Sequence, residues 1–321
     1  MKISGLLAFC LALLASAATH AQLAYPDRPI RFIVPFTAGS GTDIVARTVG
    51  ESMSRSLKQP IVIENRAGAG GTLGAAQVAK SAPDGYTLLI HSAGHVANAA
   101  IYPNLPYDTI RDFAGVTPLA SLPNVLVAAP SKGFKSVADL VDRARANPGA
   151  LNYGSAGNGS ATHMNAEIFR MSARFDAQHI PFKGTPEALT EILTGRVDYY
   201  FCPVIAVLQF IKEGKLLALA AGSTKRSSAL PEVATTLEAG IPNSDYSFWV
   251  GMMVPAKTPR DIVTKLYQNT LKALQSPDLK ERMAKIGAEP MLMTPQEFDV
   301  YIRMEIGTNA ALVKAVGIKV N

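Results

Sequence analysis

Two glycine-rich segments of similar sequence stand out in this chain. The first is PFTAGSGTD at positions 35–43, and the second is YGSAGNGSATH at positions 153–163. Each follows an apolar run that is typical of a strand and precedes a run that is typical of a helix. Such a turn leaves backbone N–H groups free at the positive end of a helix dipole, which suits anions. The pair therefore predicts two half-sites that close on one small anionic ligand.

The elements that position these turns alternate along the chain. Positions 30–34 (IRFIV) predict a buried strand. The apolar residues that follow Asp43 recur every four positions on one helical face, at Val45, Val49, Met53 and Leu57. Further strands are predicted at 61–63, 86–91, 125–128, 151–154, 179–182, 197–201 and 216–220. Alternation of this kind indicates βαβ units, largely parallel sheets and right-handed crossovers.

Two later segments carry a pattern that is typical of helix starts. Positions 258–261 (TPRD) and 294–297 (TPQE) each combine a threonine, a proline and an acidic residue three positions after the threonine. Threonine caps a helix N-terminus well, and proline is well tolerated in the first turn. Both segments therefore predict a helix that begins after a threonine N-cap.

The first residues of the chain have the character of a secretory signal. Lys2 precedes an apolar run at 3–14 that is too short to span a bilayer, and small residues lead to a cleavage point between Ala21 and Gln22. We expect residues 1–21 to be a signal peptide and the mature protein to be periplasmic. A membrane anchor is the alternative, which the short run disfavours. Only Cys202 remains after cleavage, so we expect no internal disulfide.

Charge and length exclude some classes of protein. The formal net charge of +6 falls to +5 when Lys2 is removed, and the basic residues form no dense stripe. Nucleic acid is therefore not an expected partner. A chain of 321 residues is long enough to bury large cores and fits two domains better than one.

Seven short segments, in order along nearly the whole mature chain, carry a resemblance to one family. They are 25–30 (YPDRPI), 33–43 (IVPFTAGSGTD), 64–71 (ENRAGAGG), 83–89 (PDGYTLL), 152–160 (NYGSAGNGS), 179–184 (HIPFKG) and 195–198 (GRVD). Together they resemble the TctC/Bug family, the extracytoplasmic solute-binding proteins of tripartite tricarboxylate transporters. The resemblance implies an α/β, two-lobed type-II periplasmic binding protein fold, in which each lobe has a mostly parallel sheet flanked by helices.

The resemblance also implies how the chain is divided. Two hinge crossovers are expected near 119–125 and 244–249, so that residues 22–122 begin the first lobe, 123–245 form the second, and 246–321 return to the first. A ligand would lie between lobes that close on it by hinge motion.

The site residues are carried over from the same resemblance, which implies that backbone amides and ordered waters hold the carboxylates of the ligand. Neither glycine-rich turn contains arginine or lysine, which agrees with that mode of binding. The expected first-lobe contacts are Phe36, Ala38, Gly39, Gly41, Thr42, Asp43, Ser92 and Ala93. Those of the second lobe are Ser155, Asn158, Gly159, Ser160, Thr162, Gly184, Thr185 and Asp198.

Simpler interpretations of several residues stay open. The glycines of the two turns also suit backbone dihedrals and close helix packing, and Ser160 and Thr162 also suit helix capping. His91 and His95 have a spacing that metals use, but no cysteine or carboxylate accompanies them, so no metal is expected. The loop at 65–74 is interpreted as structural, because its glycines miss the third position of a dinucleotide fingerprint. Cys202 is either a cleft residue or a buried apolar thiol.

These observations predict a monomeric, non-enzymatic binder of a small organic carboxylate, without a cofactor, that delivers its ligand to a membrane transporter of the tripartite tricarboxylate type. A sensing partner of a signalling system is an alternative on the same fold. An enzyme is the other alternative, and its sequence support is thin: Ser155 lacks the first glycine of a nucleophile elbow, and no phosphate loop is present.

Overall fold

A computed structural model describes residues 25–318, which form two sheets with helices packed on both of them. The predicted signal peptide lies outside the described residues. The strands are β1 (Ile30–Val34), β2 (Ile61–Asn65), β3 (Thr87–Ser92), β4 (Phe113–Ser121), β5 (Asn124–Ala128), β6 (Asn152–Ser155), β7 (Gln178–Pro181), β8 (Tyr199–Pro203), β9 (Leu217–Ala221), β10 (Trp249–Pro255) and β11 (Glu289–Pro290).

Ten α-helices lie within the described part of the chain. They are α1 (Gly41–Leu57), α2 (Thr72–Ala79), α3 (Gly94–Ile101), α4 (Val137–Ala146), α5 (Ala161–Ala173), α6 (Thr185–Leu193), α7 (Val204–Lys212), α8 (Arg260–Gln275), α9 (Pro277–Lys285) and α10 (Pro295–Val316). Short 3-10 turns occur at Ala69–Gly71 and Pro130–Lys132. Among these helices, none combines the length and apolar character needed to cross a membrane.

The first lobe is built on a six-stranded sheet in the order β11-β4-β10-β3-β1-β2, and the second on a five-stranded sheet in the order β7-β6-β8-β5-β9. Parallel pairing joins β1 to both β2 and β3, with Ile30 opposite Ile61 and Phe32 opposite Leu88. In the second lobe, β6 is parallel to both β7 and β8. The two-lobed α/β fold implied by the resemblance is confirmed.

Both sheets are mixed, but four of the six strands in the first sheet and four of the five in the second run in the same direction, as the prediction of mostly parallel sheets requires. β10 pairs antiparallel with β3 and β4, and β5 pairs antiparallel with β8 and β9. The physical reason is the route of the chain. β5 and β10 enter their sheets from the neighbouring lobe, so they run away from the cleft, whereas β1, β3, β6 and β8 run towards it.

The chain crosses between the lobes along two adjacent segments. Leu122 and Pro123 connect β4 to β5, and the return path lies between β9 and β10. The Leu122 N–H donates to the Phe248 carbonyl at 2.8 Å, and the Tyr246 N–H donates to the Gly222 carbonyl at 3.0 Å. These bonds tie the two crossings to each other and to the second lobe, so they can act as one hinge.

The lobes lie closely against each other in this structure. Ala161, Met164 and Ile168 of α5 belong to the second lobe in sequence, yet they are buried in the same hydrophobic cluster as β1, β3 and β10 of the first lobe. Two further clusters fill the second lobe on the two faces of its sheet. The conformation is therefore a closed one.

Of the two predicted helix starts, one forms as expected and the other is shifted. Thr294 and Glu297 make a reciprocal capping box at the start of α10, as the sequence predicts. At α8 the N-cap is Pro259, and the Thr258 hydroxyl donates instead to the Pro255 carbonyl at 2.7 Å. The Thr258 hydroxyl therefore stabilises the turn before the helix, whereas the sequence pattern predicted that it would cap the helix.

Candidate functional site

A narrow cavity lies between the lobes, at the ends of the strands that run towards the cleft. Its volume is only about 10 Å³ in this closed conformation, and it is bounded by the N-termini of helices from both lobes. Its lining residues are Phe36, Ser40, Gly41, Thr42, Ser92, Ala156, Ser160, Ala161, Thr162, Thr185, Pro203 and Phe248. Both glycine-rich turns therefore contribute to one cavity.

The first turn is fixed by Asp43. Its carboxylate accepts the Gly39 N–H at 2.9 Å, forms a two-point ion pair with Arg47, and accepts from the Asn65 amide at 2.8 Å. Gly39 has a φ of +86°, which lets the chain turn into α1. Asp43 thus holds the turn in place, and the positive charge of Arg47 balances the charge of its carboxylate.

The second turn is held by side chains that accept its N–H groups. The Gly157 N–H donates to the Ser155 hydroxyl at 3.0 Å, and the Gly159 N–H donates to Nδ1 of His163 at 3.1 Å. The Ser160 hydroxyl accepts the His163 N–H and so caps α5. Gly157 and Gly159 have φ values of +109° and +77°, so the backbone of this turn requires glycine.

Both turns leave backbone donors facing the cavity. Within residues 25–318, the N–H groups of Gly41 and Thr42 at the start of α1 have no protein acceptor. The same is true of the N–H groups of Ala161 and Thr162 at the start of α5. All four residues line the cavity, and none of its lining residues is charged. Two helix N-termini in an uncharged space have the electrostatic character that suits an anion.

Hydrogen bonds close the cleft around this cavity. The Thr185 N–H donates to the Ser40 hydroxyl at 3.1 Å, and the Thr37 hydroxyl donates to the Glu187 carboxylate at 2.9 Å. Between these bonds lies Gly184, where an added Cβ would stand 2.0 Å from Oγ1 of Thr37. The absence of a side chain at Gly184 therefore allows the two lobes to touch.

The glycine-rich loop at 68–71, interpreted from sequence as structural, lies in the cleft. Gly68, Ala69, Gly70 and Gly71 all have positive φ values. A Cβ added to Gly70 would lie 1.8 Å from the Asn158 carbonyl oxygen of the other lobe. The Tyr102 hydroxyl donates to the same carbonyl at 3.0 Å. The high density of glycines in the sequence is typical of a close approach at such a loop. Only the fold shows that the approaching segment is the Asn158 backbone of the other lobe.

Seven of the sixteen predicted site residues line the cavity. They are Phe36, Gly41, Thr42, Ser92, Ser160, Thr162 and Thr185. Five residues outside the sixteen also line it: Ser40, Ala156 and Ala161 lie within the two predicted turns, whereas Pro203 and Phe248 were missed. Phe248 and Pro203 come from the crossover and from the end of β8, where no sequence pattern marked them.

Four of the nine other predicted residues support the cavity from behind. Gly39, Asp43, Ser155 and Gly159 take part in the turn hydrogen bonds described above. Ala38 is exposed, and the Ala93 N–H donates a hydrogen bond to the Trp249 carbonyl at 3.0 Å. Asn158 and Gly184 lie at interlobe contacts rather than in the cavity lining.

Asp198 is placed away from the cavity. It lies just before β8, at the end opposite Pro203, where it accepts the Asn152 N–H at 2.8 Å and pairs with Lys132 at 2.6 Å. Cys202 is fully buried among apolar side chains, which favours the buried-thiol interpretation, and burial raises the pKa of its thiol.

Three histidines near the turns, His91, His95 and His163, are buried, and His179 is half-buried. The His91 and His95 rings lie 5.1 Å apart, and residues 25–318 contain no group of three or more histidine, cysteine or acidic side chains that could hold a metal. His163 and His179 stack at 4.0 Å beneath the second turn. Burial lowers the pKa of His163 to about 4 and that of His179 to about 3. Both imidazoles are therefore neutral at pH 7.

These shifts predict a loss of stability in mild acid. The unfolded chain protonates its histidines near pH 6.5, whereas folded His163 and His179 stay neutral down to about pH 4 and 3. The folded state therefore binds fewer protons, and the free energy of unfolding falls as the pH drops below 6.5, by about 2 kcal/mol per imidazole at pH 5. Urea unfolding at pH 7 and pH 5 measures this loss.

His163→Asn is the matched variant, because its amide oxygen can still accept the Gly159 N–H but does not titrate. We expect it to reduce the loss between pH 7 and pH 5 by about 2 kcal/mol. A loss equal to that of the wild type would show that His163 is not the buried neutral group described here.

The two lobes, the adjacent crossings and the interlobe cavity define the class of two-lobed periplasmic binding proteins. A family model described as "Tripartite tricarboxylate transporter family receptor" (TctC) matches residues 45–318. The chain belongs to this family, which confirms the resemblance found in its sequence motifs. BugT of Bordetella pertussis is 36% identical over 324 residues, with 99% of each chain covered.

Two solved structures of relatives contain carboxylates. Rpa4515 of R. palustris, solved with adipate, is 33% identical and superposes with a TM-score of 0.89, covering 92% of this chain and 99% of that one. MatC from Rhodopseudomonas palustris, with bound malate, is also 33% identical, with a TM-score of 0.85, and covers 90% of this chain and 100% of that one.

Proposed function

We propose that this protein captures a small organic dicarboxylate between its lobes in the periplasm and delivers it to the membrane subunits of a tripartite tricarboxylate transporter. The observation that carries the proposal is the convergence of the free N–H groups of Gly41, Thr42, Ala161 and Thr162 on one uncharged cavity. Each helix N-terminus suits one carboxylate, or the two together hold one carboxylate from both sides.

The rest of the lining supports a carboxylate over other ligand classes. An ammonium group would need a carboxylate or several carbonyl acceptors, and no acidic residue lines the cavity. Phe36, Pro203 and Phe248 provide apolar surface for a short carbon chain between polar ends. The adipate and malate seen in relatives have this form.

Transport rather than catalysis is supported by the family and by the site. The family is described as a transporter receptor. The Ser155 hydroxyl lies 2.6 Å from Nε2 of His179, but burial lowers the pKa of that imidazole to about 3, so it is a weak base for activating a serine. The same hydroxyl accepts the Gly157 N–H at 3.0 Å. Cys202 lies in an apolar cluster, and burial raises the pKa of its thiol. The predicted signal peptide supports a periplasmic location, and we expect the mature protein to act as a monomer.

The proposal is tested by calorimetric titration of the purified mature protein with adipate, malate, a monocarboxylate of matched length and a diamine of matched length. We expect a dicarboxylate to bind and to raise the melting temperature by mass action, and we expect the diamine to have no effect. Binding of the diamine with no response to any carboxylate would contradict the anion site. The single tryptophan, Trp249, gives an independent optical signal because it directly follows Phe248 of the cavity lining.

A further inference from the structure

Five helices within residues 25–318 begin after a serine or threonine N-cap. In four of them the N-cap hydroxyl accepts an N–H of its own helix, three residues further on; these N-caps are Ser136, Ser160, Ser276 and Thr294. Ser40, before α1, has a similarly extended N-cap backbone, with φ of −67° and ψ of 155°. Its hydroxyl nevertheless makes no bond to its own helix.

The Ser40 hydroxyl is used across the cleft. It accepts the N–H of Thr185, the first residue of α6 in the second lobe, at 3.1 Å. Ser40 is only 3% exposed, and a Cβ on Gly184 would lie 2.7 Å from its Oγ. The contact therefore exists only while the lobes are closed, and the packing leaves no space for water between the two partners.

This diversion leaves one more N–H group free at the start of α1. An N-cap hydroxyl in the usual arrangement would accept the N–H of Asp43, three residues after Ser40. Because Ser40 is turned towards Thr185, the Asp43 N–H has no side-chain cap among the described residues and stays free. It lies beside the Gly41 and Thr42 N–H groups, which face the cavity. When the lobes separate, the Thr185 N–H is withdrawn, and the Asp43 N–H is the nearest replacement in a geometry that Ser40 already has.

We propose that Ser40 is a positioning residue whose hydroxyl changes partner on closure: it caps the Asp43 N–H in the open protein and accepts the Thr185 N–H in the closed one. The change would keep the hydroxyl bonded in both states and, when the second lobe arrives, would add the Asp43 N–H to the free donors at the N-terminus of α1. This inference rests on the proposed function, because it assigns the free amides to a carboxylate ligand.

Amide hydrogen exchange of ligand-free protein, measured by NMR, tests the open-state half of the proposal. We expect Ser40→Ala to accelerate exchange of the Asp43 amide at least roughly threefold, since the loss of a cap exposes that donor to water. Ser136→Ala is the matched control, because Ser136 caps the Asp139 N–H of α4 far from the cleft. The Ser136→Ala substitution should accelerate exchange of the Asp139 amide and leave exchange of the Asp43 amide unchanged. Equal exchange of Asp43 in wild type and Ser40→Ala would overturn the change of partner.

Saturating adipate tests the closed-state half. We expect the Thr185 amide to be protected in the wild type and to exchange at least roughly tenfold faster in Ser40→Ala, which leaves this N–H without an acceptor. The affinity for adipate should fall about three- to tenfold, with a melting temperature close to that of Ser136→Ala. Unchanged protection of Thr185 in Ser40→Ala would overturn the cross-cleft bond.

The two proposals fail in different ways. If no carboxylate binds the wild type, the proposed function fails, and the ligand-free exchange at Asp43 still decides whether Ser40 caps α1. If adipate binds wild type and Ser40→Ala equally well, with equal protection at Thr185, the site stands and the role of Ser40 is wrong.

Discussion

Gly41→Val is expected to lower the affinity for the ligand by more than about 100-fold while the protein still folds. Gly41 opens α1 at the cavity, and a Cβ there would lie 3.0 Å from the Cβ and 3.1 Å from the Cγ of Pro203 in the other lobe. The two methyl groups of valine would add further overlap, which costs about 1–3 kcal/mol in a packed interior. They would also shield the amide that faces the ligand. The lobes should therefore fail to close.

The matched control for this variant is Gly307→Val. Gly307 also lies in a helix, α10, but a Cβ there meets nothing within 4 Å. Titration calorimetry and small-angle scattering give the two readouts. We expect ligand to make wild type and Gly307→Val more compact and to leave Gly41→Val unchanged. Normal binding and compaction by Gly41→Val would show that α1 does not meet Pro203 in the bound state.

Gly70→Ala is expected to have the second largest effect, although it adds a single methyl group. That methyl would stand 1.8 Å from the Asn158 carbonyl oxygen, which is backbone of the opposite lobe and cannot rotate away. We expect an affinity loss of about tenfold or more, because closure would have to stop short of this contact. The isolated first lobe has no such clash, so the ligand-free protein should fold normally.

Backbone strain at Gly70 needs its own control. Its φ is +60°, so alanine costs on the order of 1 kcal/mol even without a neighbour. Gly149→Ala carries the same kind of strain at a φ of +74°, with nothing within 4 Å of the new Cβ. Both variants should lose similar stability in urea, and only Gly70→Ala should lose affinity. Equal affinity in the two would remove the 68–71 loop from the closing mechanism.

The contrast between Gly41 and Gly157 shows how far sequence reasoning reaches. Both were expected in turns near a ligand, and both lie in or beside the cleft. Gly157 has the positive φ of +109° that a glycine-rich turn suggests. Gly41 has no positive φ; it is needed because Pro203 approaches from the other lobe. Local patterns predict local dihedrals, but a close approach between distant segments depends on the tertiary arrangement.

The same limit explains the other differences. Repeating strand and helix patterns predicted two α/β lobes, but they carry no information on the direction of β5 and β10, which is set by the crossings. Asp198 was carried over by its position after a family motif, and the fold turns it towards Lys132. Ser40 stood inside the first motif and was passed over, because its partner Thr185 lies far away in sequence.

The central claim is that both glycine-rich turns hold one anionic ligand through their free amides. Titration of ¹⁵N-labelled mature protein with adipate, followed at the amides of Gly41, Thr42, Ala161 and Thr162, tests it most directly. The account predicts that all four signals shift and saturate at the same ligand concentration, because the amides share one site. Shifts confined to one lobe, or binding with none of the four affected, would contradict it.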